Sequence, residues 1–175
     1  MRKIFALISI CCLSCLVSGQ TKSKTSLYLN LHGNIPIYDI AILNNPLGGG
    51  IGIVFLFNTK TNFKPKFDFN VNRFINTHIV YDEPPLKKTV IEKGITCLFI
   101  GSSYSCGKRF DFSLVTGASF YNSDIYLGLK PSVGLYLDKK QKFITEVSLT
   151  NLFKTPSAKE NSFGFMNLGI RIKLI

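Results

Sequence analysis

Phe63-Lys64-Pro65-Lys66-Phe67-Asp68-Phe69-Asn70-Val71-Asn72 is the stretch whose pattern decides the fold. Phe63, Phe67, Phe69 and Val71 fall on one face, and Lys64, Lys66, Asp68, Asn70 and Asn72 on the other. A period of two is what an extended strand produces, because successive side chains point to opposite faces of a sheet. A helix would instead group apolar residues three and four apart, and no segment downstream of residue 19 does so over any length.

Working outward, the same alternation recurs in seven further blocks. Leu27, Leu29 and Leu31 alternate with Tyr28, Asn30 and His32, and Ile51, Ile53, Phe55 and Phe57 with Gly50, Gly52, Val54 and Leu56. A fourth block sets Ile91, Ile95, Cys97 and Phe99 against Glu92, Gly94 and Thr96, with Leu98 and Ile100 blurring its second half. The fifth sets Phe110, Phe112 and Leu114 against Asp111, Ser113, Val115 and Gly117. The sixth sets Ile125, Leu127, Leu129, Val133, Leu135 and Leu137 against Tyr126, Gly128, Lys130, Ser132, Gly134 and Tyr136. Pro131 interrupts it, and since proline cannot donate a ladder hydrogen bond, a bulge or local break is expected there. Phe143, Val147 and Leu149 against Glu146, Ser148 and Thr150 make the seventh block, and Leu168, Ile170, Ile172 and Leu174 against Asn167, Gly169, Arg171 and Lys173 the eighth.

Most blocks run to about ten residues, the length of a tilted membrane strand and not of the roughly five- or six-residue strand of a soluble sheet. Residues 58–62, 104–108 and 138–141 read as short polar turns, whereas 36–47, 75–88 and 154–162 are longer, and 121–124 breaks the scheme. Short turns at one end and long loops at the other characterise outer-membrane barrels, whose even strand number returns both ends of the chain to one side.

Residues 1–19 carry Arg2 and Lys3, an apolar run from Ile4 to Val17, and the small pair Ser18-Gly19. This is the form of a secretory signal peptide cleaved before Gln20, too short to span a bilayer as a helix. Cys11, Cys12 and Cys15 lie inside it, but their flanks do not match a lipoprotein cleavage site. The remainder, residues 20–175, is read as one domain with no linker. It holds all but two of the 21 basic residues and all ten acidic ones, a net charge of +9. The basic residues are scattered over many segments, so no nucleic-acid footprint emerges, and export removes nucleic acid from the expected partners. Of the five cysteines, Cys97 and Cys106 remain after cleavage, and the sequence leaves their pairing open.

Alternation alone does not say which face is outside. The polar face mixes Gly, Ser, Asn and Tyr with sparse charge, as in a filled interior, whereas Leu, Ile and Phe in this number are too bulky for the lumen of an eight-stranded barrel. The apolar face is therefore assigned to lipid, against the alternative of a secreted lipocalin-like lipid-binding barrel. There is no Trp, so the Gly-x-Trp motif associated with lipocalins is absent. From Thr25 to Ile175 the chain resembles the small OmpA/OmpX-type outer-membrane β-barrels, particularly the Phe- and Lys-rich barrels of Bacteroidota. The ending Leu168-Gly169-Ile170-Arg171-Ile172-Lys173-Leu174-Ile175 resembles the terminal-strand signal read by the barrel-assembly machinery, with Ile175 where an aromatic residue is usual. The resemblance implies an all-β, eight-stranded antiparallel up-and-down transmembrane barrel in the cell outer membrane, in contact with its lipids and lipopolysaccharide. It leaves activity open, since such barrels include adhesins, structural proteins, narrow channels and lipid-modifying enzymes.

Catalytic chemistry finds no purchase. His32 and His78 lack metal-ligand spacing, Ser102, Ser103 and Ser105 belong to the end opposite His78, and Gly48-Gly49-Gly50-Ile51-Gly52 enters a strand in place of a phosphate-binding helix. No catalytic, cofactor or metal residue is assigned, and the expected role is non-enzymatic, with a lipid-modifying enzyme as the alternative. The candidate site is a lumen charge network of Lys64, Lys66, Lys130, Arg171 and Lys173 against Asp68, Glu92, Asp111 and Glu146. Near balance in a narrow interior favours mutual pairing, with Asn70, Asn72, Tyr126 and Tyr136 filling the gaps, and so a plugged barrel.

Overall fold

The computed structural model describes residues 25–38, 47–75, 80–81, 88–89, 93–107, 109–121, 123–158 and 161–175. Its strands are β1 (Thr25–Tyr38), β2 (Leu47–Phe57), β3 (Phe63–Ile75), β4 (Val80–Tyr81), β5 (Lys88–Thr89), β6 (Lys93–Cys106), β7 (Phe110–Tyr121), β8 (Asp124–Tyr136), β9 (Phe143–Lys154) and β10 (Phe163–Lys173). Eight of them form one closed barrel in the order β1-β10-β9-β8-β7-β6-β3-β2, each antiparallel to its neighbours, and β4 and β5 pair as a separate ribbon within the β3–β6 connection. The barrel strands are 11 to 14 residues long. Closure joins first strand to last, with His32 opposite Gly169, so no barrel edge is left to pair with another chain.

The outer wall is apolar and open. Leu168 and Ile75 are each 60% exposed, Leu114 54% and Ile51 52%, and the belt continues round the barrel through Ile35, Leu127 and Val147. An apolar surface of this extent is built for lipid and not for water.

One face assignment is corrected. The fourth block was read with Ile95, Cys97 and Phe99 outward, but all three are buried in the lumen, and Leu98, Ile100 and Tyr104 are exposed. The β6–β7 hairpin is the cause. Tyr104 sits opposite Phe112 and Ser102 opposite Leu114, and directly opposed residues of an antiparallel pair share a face, so the outward Phe112 and Leu114 carry the even-numbered residues of β6 outward with them. Space inside makes the bulky odd-numbered face tolerable: a Cβ on Gly128 would collide with the Phe99 ring, which fills the room that glycine leaves. Strand β6 also extends to Cys106, so the turn is shorter than residues 104–108, and Gly107 supplies its left-handed conformation at φ 62°.

At Pro131 the expected break is present as a gap in pairing. Pairing with β9 runs to Leu129–Asn151 and resumes at Ser132–Ser148 in the same register, with no extra residue inserted. The register shift in the barrel lies instead on β1, between Pro36 and Tyr38.

The interior differs from the expected polar filling. Two apolar clusters occupy its ends: Tyr28, Val54, Leu56, Tyr136 and Ile144 near the short turns, and a larger group that includes Phe74, Phe99, Tyr126, Phe163 and Phe165 toward the long loops. Ala158, from the β9–β10 connection, is buried in the larger group. The charged residues lie between.

Candidate functional site: the charged lumen

Five strands contribute to the middle of the lumen: Lys66 and Asp68 from β3, Asp111 from β7, Lys130 from β8, Glu146 from β9 and Arg171 from β10. Each occupies the inward phase of its alternation, and all six are buried, with Asp68, Asp111 and Arg171 at 0% exposure. Three cations face three carboxylates. Glu146 sits at the centre, 3.0 Å from Arg171 Nη2, 3.5 Å from Lys66 Nζ and 3.8 Å from Lys130 Nζ. Lys130 also holds Asp68 at 2.8 Å, and Arg171 Nη2 holds Asp111 at 2.8 Å.

Neutral side chains add further hydrogen bonds, although Arg171 Nε and Nη1 are buried without a partner. Lys66 Nζ donates to Ser113 Oγ at 2.9 Å, Ser132 Oγ donates to Glu146 at 3.3 Å, and Ser103 Oγ donates to Asp111. From Asp68 the network runs on through amides: Asn70 Nδ2 donates to Asp68 at 2.9 Å, Asn72 Nδ2 to Asn70 Oδ1 at 3.0 Å, and Asn34 Nδ2 to Asn72 Oδ1 at 3.0 Å. His32 Nε2 meets the same Asn72 oxygen at 2.7 Å. The inward Gly50 permits that contact, because a Cβ there would strike the imidazole and lie 2.7 Å from Asn72 Oδ1.

Of the nine residues singled out from the sequence, these six come together. Lys64 and Lys173 do not: both are half-exposed at the short-turn mouth, opposite Ser103 and Tyr28 respectively. Glu92 lies outside the described residues, as does His78. Tyr126 and Tyr136 are buried, but as members of the two apolar end clusters and not as fillers among the charges. Ser103 was missed as a carboxylate ligand because β6 was read in the opposite phase, and the Tyr104–Phe112 pairing implied by a tight hairpin is the signal that would have found it.

The arrangement supplies electrostatic cross-linking between strands. Each carboxylate is held by a cation, and His32 is engaged by Asn72 while Ser103 binds Asp111. Among the described residues no cluster of His, Cys, Asp and Glu is arranged to hold a metal ion. Cys97 is buried and Cys106 exposed, and both are free thiols.

Solved structures share this architecture. The attachment invasion locus protein of Yersinia pestis, Ail, in complex with the heparin analogue sucrose octasulfate, aligns with a TM-score of 0.61 at 9% identity over 88% of this chain and 100% of that one. The fold is that of a small outer-membrane barrel. The same Yersinia outer-membrane protein in a phospholipid bilayer nanodisc aligns with a TM-score of 0.56 at 9% identity over 86% of this chain and 100% of that one. No family model and no curated protein matches the sequence.

Proposed function

We propose that the chain is exported, loses residues 1–19, and is inserted from residue 20 onward as a non-enzymatic outer-membrane β-barrel with a plugged lumen. Its role is structural or interactive, through the long connections 36–47 and 75–88, in contact with outer-membrane lipids and lipopolysaccharide. The exposed apolar wall supports the membrane setting, and the outward Leu168 and Ile170 of the last strand, with Leu174 just beyond it, suit recognition by the barrel-assembly machinery. The Phe- and Lys-rich sequence favours a Bacteroidota-type member of this class.

One observation carries the plugged reading: three buried cations neutralise three buried carboxylates across five strands, between apolar clusters at both ends. A conducting pore needs a hydrated path, whereas charges paired at this spacing leave no net field to draw an ion in and hold the strands together. Planar-bilayer recording of the purified protein tests it. The expected trace is silent, and steady, large conductance from single copies would overturn the plugged barrel. Sequencing the N-terminus of the membrane-extracted protein checks export, with Gln20 expected first.

The sulfated ligand of Ail is not transferred to these loops. The connections 36–47, 75–88 and 154–162 together carry four basic and four acidic residues, so they offer a polyanion no net charge.

A further inference from the structure

Scattered as they are in sequence, seven of the basic residues are gathered by the topology at one end of the barrel. Up-and-down connectivity brings the β2–β3, β6–β7 and β8–β9 turns together with the end of β10. Lys60, Arg109, Lys139, Lys140 and Lys142 are exposed on those turns, and Lys64 and Lys173 stand half-exposed at the adjoining mouth. Asp138 is the one acidic residue of the three turns. Its carboxylate is committed elsewhere, accepting the backbone N–H groups of Lys142 at 2.7 Å, Phe143 at 3.0 Å and Lys140 at 3.2 Å. Among the described residues no ion pair neutralises these seven cations.

A second feature lies immediately beside this collar. Outward aromatic residues crowd the short-turn end of the wall, where Phe63 packs on Tyr104 with ring centres 4.9 Å apart, Phe55 on Phe67 at 6.0 Å and Phe110 on Phe112 at 6.4 Å. Phe57 and Phe143 are exposed at the same level. An aromatic girdle marks the depth at which a barrel wall passes from acyl chain to headgroup. Cations one step beyond it lie at the height of lipid phosphates, and so face a sheet of fixed negative charge if the leaflet contains anionic lipid.

We infer that the short-turn rim is a docking collar for anionic phospholipid headgroups of the leaflet at that end. The inference rests on the membrane-barrel reading of the wall and adds a ligand class and a location to it. It places the lipid-binding charge at the end opposite the long loops, whose basic and acidic residues are equal in number. The collar also gives the barrel a fixed depth, because sliding along its axis would pull several cations off the phosphate plane at once.

Native mass spectrometry tests this on the full-length barrel, folded in detergent and offered equal amounts of phosphatidylglycerol and phosphatidylethanolamine. Circular dichroism and detergent dependence establish the folded membrane barrel separately, so failure of the collar and failure of the barrel reading are distinguishable. The expected result is preferential retention of phosphatidylglycerol, falling at least about tenfold in the triple variant Lys139→Gln, Lys140→Gln, Lys142→Gln, since each cation near an anionic surface contributes a factor of roughly five. Salt at 1 M, where the screening length is about 3 Å, should abolish it as well. Equal retention of the two lipids by the unaltered protein would overturn the proposal. So would a preference that survives the triple variant but falls on Lys87→Gln with Lys88→Gln in the long β3–β6 connection. Displacement of the lipid by millimolar glycerol phosphate would reveal a pocket for a free phosphate in place of a bilayer surface, and would also overturn it.

Discussion

Glu146→Gln removes one negative charge from the centre of the lumen and almost no volume. Glu146 is the carboxylate shared by Arg171 at 3.0 Å, Lys66 at 3.5 Å and Lys130 at 3.8 Å, so the balance of three against three becomes three against two. Arg171 keeps Asp111 and Lys130 keeps Asp68, but Lys66 loses its paired carboxylate and keeps neutral partners, the hydroxyl of Ser113 and the new amide oxygen. An ammonium buried without a counter-charge is the expensive outcome, and breaking a buried pair on one side costs about 3–5 kcal/mol. With a urea slope of about 2 kcal/mol/M, the unfolding midpoint should fall by roughly 2 M. Reversible urea unfolding of the barrel in lipid vesicles, followed by tyrosine fluorescence, measures that shift. The decisive control is Lys66→Met added to Glu146→Gln, which restores neutrality and should recover most of the loss. A midpoint unchanged in Glu146→Gln, or no recovery in the double variant, would refute the claim that these charges are mutually paired.

Lys64→Gln, at the rim, should move the same midpoint by less than about 0.5 kcal/mol in stability, because its head is not held in the network. Gly117→Ala should destabilise more than Gly50→Ala, each by about 1–3 kcal/mol or more: the new methyl at 117 strikes the backbone carbonyl of Leu98, whereas at 50 it meets the movable side chains of His32 and Asn72. Maleimide should label one thiol, Cys106, in the folded chain from Gln20 onward, and Cys97 only after unfolding, a difference read by intact mass. The N–H groups of Phe143, Lys142 and Lys140 hold the Asp138 carboxyl below the usual aspartate range. The β8–β9 turn should therefore keep its ordered chemical shifts as pH falls through the unfolded value near 3.9 and lose them only below it, and NMR titration that places the Asp138 midpoint at or above that value would contradict the turn geometry.

Much of the fold was legible because alternation is a local property. Phe63 to Asn72 needs no partner to declare two faces, and the eight blocks together with short and long connections specified an even, up-and-down barrel. The inward positions of Lys66, Asp68, Asp111, Lys130, Glu146 and Arg171 follow from the same period. Strand β6 was not legible in this way, since Leu98 and Ile100 are as apolar as Cys97 and Phe99. Its phase was settled by the register with Phe112 and Leu114 and by the space left at Gly128.

What the sequence by itself determined, then, is which residues share a face of each strand, because side-chain direction in a strand depends only on parity along the chain. The tertiary structure alone decided which charges meet, since register and closure set the height of each residue on the barrel axis. That height brings Glu146 to Arg171 and Lys66 while leaving Lys64 and Lys173 at the mouth. It also turns basic residues spread over three separate turns into one rim, a grouping that no reading along the chain contains because their proximity exists only across the closed barrel.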